Sequence, residues 1–164
     1  VVEKLNALRK PQINWMNFLD EDFVRAQLSK LNKNTKPIFG SMNAQQMIEH
    51  LSDVTQIANG NWNVDVFVSD TKAARRNPFL ETKNELQIGF KASFLAEEPD
   101  KLKFSSIEES INDLIKQIEI FTTVFMEDKN RTVVHPFFGE LDFEYWKKFQ
   151  VKHFTHHFKQ FNLV

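Results

Sequence analysis

The length, composition and charge of the chain indicate one globular domain with a core of its own. The chain has 164 residues, of which 41% are hydrophobic and 26% charged, as is ordinary for globular proteins. Its formal net charge of −1 argues against nucleic acid as a partner, because phosphate neutralisation needs a basic surface. No run of residues approaches the roughly 18 to 20 apolar residues of a membrane-spanning helix, so no membrane partner is expected.

The absence of cysteine limits both the chemistry and the compartment. It excludes disulfides, thiolate nucleophiles and cysteine-type zinc sites. The N-terminus lacks the apolar stretch of a signal peptide, so a cytoplasmic protein is predicted. The first residue is Val rather than Met, which we interpret as a trimmed chain or as one domain of a longer polypeptide.

Helical spacing of apolar residues predicts two helices in the first third of the chain. The first begins at the acidic residues 20–22 and continues to about residue 34. Its apolar stripe consists of Phe23, Val24, Leu28 and Leu31. The second is capped by Asn43, with Gln46 at the capping-box position, and ends at Gly60.

Two further helices are predicted in the last third of the chain. The third opens with a capping box from Ser106 to Glu109 and extends to about Asp128. The fourth begins at Asp142 and extends to about residue 162.

The 45 residues between the second and third helices, 61–105, suggest how the helices are arranged. They include a strand-like segment, VDVFVSD, at 64–70. Because structureless loops of this length are rare, we expect a crossover along a bundle, which a parallel helix pair requires. The fold prediction is thus an all-α four-helix bundle in a single domain, 1–164, with residues 1–17 as an arm or short helix.

The last helix contains three histidines in KHFTHHFKQF, residues 152–161. At about 100° per residue, His157 lies on the inner face, His153 at its edge, and His156 outside it. The inner face and its edge also include Phe143, Trp146, Gln150, Phe154, Phe158 and Phe161, whereas Lys148, Lys152, Thr155 and Lys159 lie on the opposite side. Two histidines four residues apart on one face are typical of a helix that supplies two metal ligands.

The second helix offers a third histidine at a comparable position. His50 lies at the edge of its apolar face, whereas Glu49, Asp53 and Gln56 are predicted to face away from it. A single inward histidine is usually a satisfied core or boundary residue, and two histidines four apart often occur by chance. The residues alone therefore leave both a three-histidine metal site and a metal-free structural bundle open.

Three motifs, MNAQQMIEHL (42–51), HPFFGELDFEYW (135–146) and KHFTHHFKQF (152–161), resemble the DinB/YfiT-like superfamily. The similarity covers residues 37–161 and is closest to a bacterial branch named only as a domain of unknown function. It implies an up-down-down-up bundle in which His50, His153 and His157 bind a divalent ion, namely zinc, nickel or iron. Gln160 matches a glutamine that is usual in the family. Members often form homodimers, so a homodimer is a further expectation.

Four residues near these motifs are candidate supports for the site or its pocket: Trp146, Gln150, Gln160 and His135. His135 opens the segment His-Pro-Phe-Phe-Gly, 135–139. We interpret this segment first as a turn that closes the bundle end, because Pro fixes one dihedral and Gly permits another. A wall of the metal pocket is the alternative.

Three neutral imidazoles would leave a divalent ion its full charge and an open coordination position, as in catalytic zinc sites. Such an ion lowers the pKa of bound water or polarises a thiol or carbonyl. No carboxylate is obviously placed as a general base. Lys72, Arg75 and Arg76 are candidate contacts for an anionic substrate tail, although short basic runs are usually solvated.

The resemblance favours a metal-dependent thiol transferase or hydrolase that acts on a small molecule, such as a low-molecular-weight thiol or acyl thioester. The alternative is a non-catalytic accessory domain, for example the C-terminal part of a larger catabolic enzyme of phenylacetate degradation. A metal-free structural bundle is the third hypothesis.

Overall fold

The chain is mainly helical, as predicted, with one small sheet. The computed structural model describes residues 15–65, 69–90 and 101–164, and of residues 71, 72, 75 and 76 only the backbone. Within these ranges the helices are α1 Glu21–Leu28, α2 Ala44–Ala58, α3 Asp70–Glu81, α4 Ile107–Glu127 and α5 Phe143–Gln160. The strands are β1 Val133–His135 and β2 Gly139–Leu141.

The predicted caps fix the ends of α2, α4 and α5. Asn43 and Gln46 form the reciprocal capping box of α2, with both hydrogen bonds at 2.9 Å. The side chains of Ser106 and Asp142 accept backbone N–H groups at the starts of α4 and α5. Each of these helices therefore begins where the sequence predicts, because a local side-chain acceptor satisfies N–H groups that the helix cannot.

The first helix is shorter than predicted. It ends at Leu28 rather than near residue 34. The backbone continues in tight turns, and the side chain of Asn32 accepts the N–H of Asn34 at 2.9 Å. Such local hydrogen bonds compete with helix continuation. Leu31 remains buried after the helix ends, which is why its apolar spacing suggested a longer helix.

The crossover contains a helix that the sequence analysis did not predict. Helix α3 includes Pro78 in its last turn and packs against α5 and β2. Its side chains Ala73 and Leu80 are buried, so tertiary packing outweighs a weak helical pattern. Residues 66–68 of the strand proposed at 64–70 lie outside the described residues, whereas residues 64, 65 and 69 lie in no strand and Asp70 begins α3. Residues 1–14 and the side chains of Lys72, Arg75 and Arg76 also lie outside the described part of the chain.

The helices pack so that α2 and α5 lie next to each other. Helix α2 packs along α4 and also contacts α5 and β1, and α1 packs on α4. The core is rich in phenylalanine, whose rings need no hydrogen-bond partner. Its largest fully buried side chains include Phe18, Phe121, Trp146, Phe154 and Phe158. Among the helices of the described ranges, none is long and apolar enough to span a bilayer.

The segment 135–139 forms the turn predicted for it, between two strands that were not predicted. The strands pair antiparallel in the register Val133 to Leu141 and His135 to Gly139. Gly139 has a φ of 71°, which a glycine adopts without strain. The indole Nε1 of Trp146 donates to the carbonyl of Val133 at 2.9 Å and fastens the hairpin to α5.

Three residues predicted to face solvent are instead buried. Lys152 is 4% exposed, Thr155 1% and Glu49 5%. Residues near the N-terminus and in the crossover cover these positions: Met16 N–H donates to Thr155 Oγ1 at 3.2 Å, for example. The predicted exposure of these residues was wrong because the prediction considered packing among four helices only.

Candidate metal centre

Three histidines from α2 and α5 converge at one point. The ring centroids of His50 and His153 are 5.0 Å apart, those of His50 and His157 4.9 Å, and those of His153 and His157 4.7 Å. The Nε2 atoms of His50 and His153 are 3.0 Å apart. One nitrogen from each ring lies within 4.8 Å of the others. The three residues predicted as ligands are therefore close enough together to hold one metal ion.

The three rings differ in burial. His153 and His157, four residues apart on α5, are 6% and 5% exposed. His50 is half-buried, on the face of α2 that meets α5. His50 is therefore the most exposed of the three rings.

The tautomer of His157 is fixed by a chain of hydrogen bonds. Gln160 Nε2 donates to the carbonyl of Phe39 at 2.8 Å, so the amide oxygen of Gln160 faces the other way. That oxygen lies 2.8 Å from His157 Nδ1, which must be the donor. The Nε2 atom of His157 is consequently left with its lone pair, which is the form that binds a metal.

The close approach of Gln160 to the loop before α2 depends on Gly40. A Cβ at Gly40 would lie 2.6 Å from Gln160 Nε2, and the residue has a φ of +79°. Glycine alone satisfies both requirements, since it has no Cβ and adopts positive φ without strain. Gly40 and Phe39 thus support His157 through Gln160.

The ring of His153 packs on an aromatic side chain and has one nitrogen without a partner. It stacks on Phe149, with centroids 5.3 Å apart and an interplanar angle of 20°. Its Nδ1 is buried and makes no hydrogen bond. Phe149 in turn contacts His135, whose centroid is 4.3 Å away, so Phe149 separates His135 from the cluster.

Burial keeps both predicted ligands of α5, His153 and His157, uncharged. Desolvation first, and then the imidazoles of His157 and His50, hold the pKa of His153 well below its usual value. Desolvation and His50 also hold the pKa of His157 well below its usual value, and the hydrogen bond to Gln160 offsets this only in part. Neutral imidazole is the state that offers a lone pair to a cation.

His156 lies outside the cluster, as the sequence predicts. It is half-buried, and its ring centroid is 5.2 Å from that of Phe39. Desolvation lowers the pKa of His156, and a hydrogen bond to the backbone of Leu86 opposes this effect. Its position makes it a control residue for the neighbouring predicted ligands.

The other predicted site residues have structural contacts. Trp146 fastens the hairpin, as described above. Gln150 is fully buried, and its Nε2 donates to Thr55 Oγ1 at 3.2 Å. His135 Nδ1 accepts the N–H groups of Phe137 at 3.0 Å and Phe138 at 3.3 Å, which favours its interpretation as a turn residue.

The cluster fits a divalent ion in size and donor type. Bonds of about 2.0–2.1 Å at tetrahedral angles place ligand nitrogens about 3.3 Å apart. The Nε2 atoms of His50 and His153, at 3.0 Å, are near this separation, and one nitrogen of each of the three rings lies within 4.8 Å of the others. Within the described ranges no carboxylate joins the cluster. An all-imidazole set accepts zinc, nickel or ferrous iron.

Glu49, which precedes His50, is engaged elsewhere. Its carboxylate accepts the N–H groups of Lys103 at 2.7 Å and Phe104 at 3.2 Å and the hydroxyl of Ser110 at 2.9 Å. It therefore ties the end of the crossover to α2 and α4. Asp53 pairs with Lys103.

Comparison with known families identifies one similarity. Residues 96–163 match the family described as protein of unknown function (DUF1569). The matched segment contains His153, His157, Gln150 and Gln160, whereas His50 lies outside it. No curated protein and no solved structure matches the chain.

Sequence reasoning missed the loop that supports Gln160, and it missed the hydrogen bonds of the buried Lys152 Nζ to the carbonyls of Thr82 and Asn84. A glycine before a capped helix is a weak signal, since many glycines only end a turn. A lysine within a polar stripe gives no signal of burial. Both roles depend on segments distant in sequence from α5.

Proposed function

We propose that this chain is a divalent-metal-binding protein of the DinB/YfiT-like type, with His50, His153 and His157 as ligands. The observation that carries the proposal is the convergence of three imidazoles from two helices, with nitrogens within 4.8 Å of one another. The supported tautomer of His157 and the neutral state of the buried pair add to it. In this proposal α1, α2, α4 and α5 form the up-down-down-up bundle, and α3 belongs to the crossover.

The proposed activity is metal-dependent transfer to or from a small thiol or acyl thioester. A divalent ion supplies Lewis acidity, which favours the thiolate form of a thiol or polarises a carbonyl. The chain holds His153 and His157 neutral, and His50 is the most exposed of the three proposed ligands. The three-imidazole set, with no carboxylate from the described residues, supports thiol transfer over hydrolysis, because hydrolysis usually needs a carboxylate base.

Metal binding is tested with protein purified without a nickel column. We expect elemental analysis to find one divalent ion per chain, and cobalt titration to give an absorption spectrum of nitrogen ligation. At one hundred times Kd the ion should raise the free energy of unfolding by about 2.7 kcal/mol. His153→Gln and His157→Gln should abolish this gain, whereas His156→Gln on the same helix should retain it.

The thiol part of the proposal has its own test. Adding a low-molecular-weight thiol to the cobalt-loaded protein should produce a thiolate-to-cobalt charge-transfer band. Metal binding without any response to thiols or acyl thioesters would favour the non-catalytic accessory domain. No metal binding by the wild-type protein would contradict the proposal and leave the metal-free bundle. A cytoplasmic location and a homodimer stay predictions, and gel filtration tests the second.

A further inference from the structure

Two buried polar atoms on neighbouring turns of α5 are without hydrogen-bond partners. They are Gln150 Oε1 and His153 Nδ1. Gln150 is fully buried and His153 is 6% exposed. Buried polar atoms are almost always paired with protein or with an ordered water, so two unpaired atoms from residues three apart on one helix need an explanation.

The orientation of the Gln150 amide is determined by its neighbours. Thr55 Oγ1 donates to the carbonyl of Leu51 at 2.8 Å, and this hydrogen bond uses the single proton of the hydroxyl. Thr55 Oγ1 must therefore be the acceptor of its hydrogen bond with Gln150. The donor is the amide nitrogen, Gln150 Nε2, at 3.2 Å. The orphan atom of Gln150 is consequently the carbonyl oxygen, an acceptor that lacks a donor.

The orphan atom of His153 is complementary to it. His153 Nε2 lies 3.0 Å from the Nε2 of His50, on the side where the three rings converge. If this nitrogen is to bind an ion, the proton must be on Nδ1, which is then a donor that lacks an acceptor. Residues three apart on a helix are neighbours, with Cβ atoms about 5–6 Å apart.

The same helix shows this pairing at its other ligand. His157 Nδ1 donates to Gln160 Oε1, three residues later, at 2.8 Å. Gln150 stands three residues before His153, so each histidine of the pair has a buried glutamine one turn away, on opposite sides.

We propose that Gln150 is a positioning residue of the metal centre, whose Oε1 accepts the Nδ1–H of His153 directly or through one buried water. This bond holds His153 in the tautomer that has a free Nε2. The inference rests on the proposed metal site. It gives Gln150 a role distinct from packing, since an apolar residue of equal size would fill the space without the acceptor.

The test compares Gln150→Met, which removes the acceptor, with Gln150→Glu, which retains one. We expect Gln150→Met to weaken cobalt binding by about 10- to 100-fold, as loss of a ligand's hydrogen-bond partner typically does, and Gln150→Glu to restore part of the loss. Nitrogen NMR of metal-free protein should show the Nδ1–H tautomer of His153 in wild type and a mixture in Gln150→Met. Gln117→Met is the control, because Gln117 is a buried glutamine bonded to Asn59 rather than to the cluster.

The outcomes separate the two proposals. If wild type binds cobalt and Gln150→Met binds it equally well with the same His153 tautomer, the role of Gln150 is wrong and the metal site stands. If wild type binds no cobalt, both proposals fail. If Gln150→Met does not fold, two other measurements decide. An Nε2–H tautomer of His153 in the wild-type protein would overturn the inference. So would a cobalt affinity of Gln150→Glu as low as that of His153→Gln.

Discussion

Lys152 is a charged residue in the interior, next to a proposed ligand. Its Nζ donates to the carbonyls of Thr82 at 2.7 Å and Asn84 at 2.6 Å, just beyond the end of α3. The same Nζ lies 4.8 Å and 4.7 Å from the ring centroids of Trp15 and Phe79. Burial lowers the pKa of Lys152, and Glu85 opposes this effect. The side chain thus clamps the crossover to α5.

Replacing Lys152 with Met should destabilise the protein by about 1–3 kcal/mol, because two carbonyls lose a charged donor. Urea unfolding measures the change. Lys148→Met is the matched control: Lys148 lies on the same helix and pairs with Glu81 near the end of α3, but at the surface. Surface pairs contribute little, so its effect should be small. Equal decreases of the free energy of unfolding in Lys152→Met and Lys148→Met would contradict the proposed role of Lys152 in holding the crossover to α5.

His135 should make stability sensitive to acid. Burial lowers the pKa of His135 to about 3 from 6.5. Between pH 6.5 and 3 the unfolded chain binds a proton at this residue that the folded chain does not. Its contribution to stability is therefore complete above pH 6.5 and is lost as the pH falls toward 3.

The variant His135→Asn tests this, because an asparagine oxygen can replace Nδ1 as acceptor for the turn N–H groups. Between pH 6.5 and pH 4.5 the free energy of unfolding of the wild type should fall by about 2 to 3 kcal/mol more than that of the variant. This follows from a slope of about 1.4 kcal/mol per pH unit. Unfolding at several pH values measures the two slopes. Parallel slopes would show that His135 is not the acid-sensitive group.

The loop before α2 connects two elements that the sequence separates widely. Phe39 and Gly40 meet Gln160 at the end of α5, and the N–H of Ile38 donates to the carbonyl of Gln160 at 2.7 Å. This contact fixes the end of α5 where His157 is held. A change in the loop should therefore alter the position of His157 in the proposed metal centre.

Gly40→Ala should both destabilise the protein and weaken metal binding. The positive φ costs about 1–2 kcal/mol for a residue with a Cβ, and the added atom displaces Gln160, so cobalt affinity should fall by about 10-fold. Gly89→Ala is the control, since Gly89 has a φ of +78° and nothing within 4 Å of an added Cβ. Calorimetric titration of both should show weaker binding for Gly40→Ala alone.

At the scale of the whole molecule, the chain before α1 helps to join α4 to α5. Phe18 is fully buried, and its ring centroid lies 5.6 Å from that of Phe121 on α4 and 5.1 Å from that of Phe154 on α5. Because the proposed ligands of α5 lie next to His50 of α2, which packs on α4, this joint supports the geometry of the histidine cluster.

Phe18→Ala should cost about 3–5 kcal/mol in the free energy of unfolding, as truncation of a buried ring typically does. Phe90→Ala, at a ring that is 65% exposed, should cost far less. Thermal and urea unfolding measure both. A small loss at Phe18 would mean that the segment before α1 is not part of the cooperative core.

Local chemistry let the sequence by itself determine the starts of α1, α2, α4 and α5, the turn at 135–139 and the ligand candidates. Caps such as Asn43 act within three residues, and the spacing of His153 and His157 follows from the helical repeat. The inner face of α5 could be predicted because its apolar residues must meet the rest of the core.

Only the tertiary structure decided what covers the remaining faces and whether the rings meet. Several features depend on contacts between segments more than fifty residues apart. They are the burial of Glu49 and Lys152, the packing of helix α3 and the support of Gln160 by Gly40. No local pattern encodes such contacts, since they depend on how the crossover and the N-terminal segment fold over the helices. The distance between His50 and His153 likewise depends on how α2 packs against α5, which helical spacing alone does not specify.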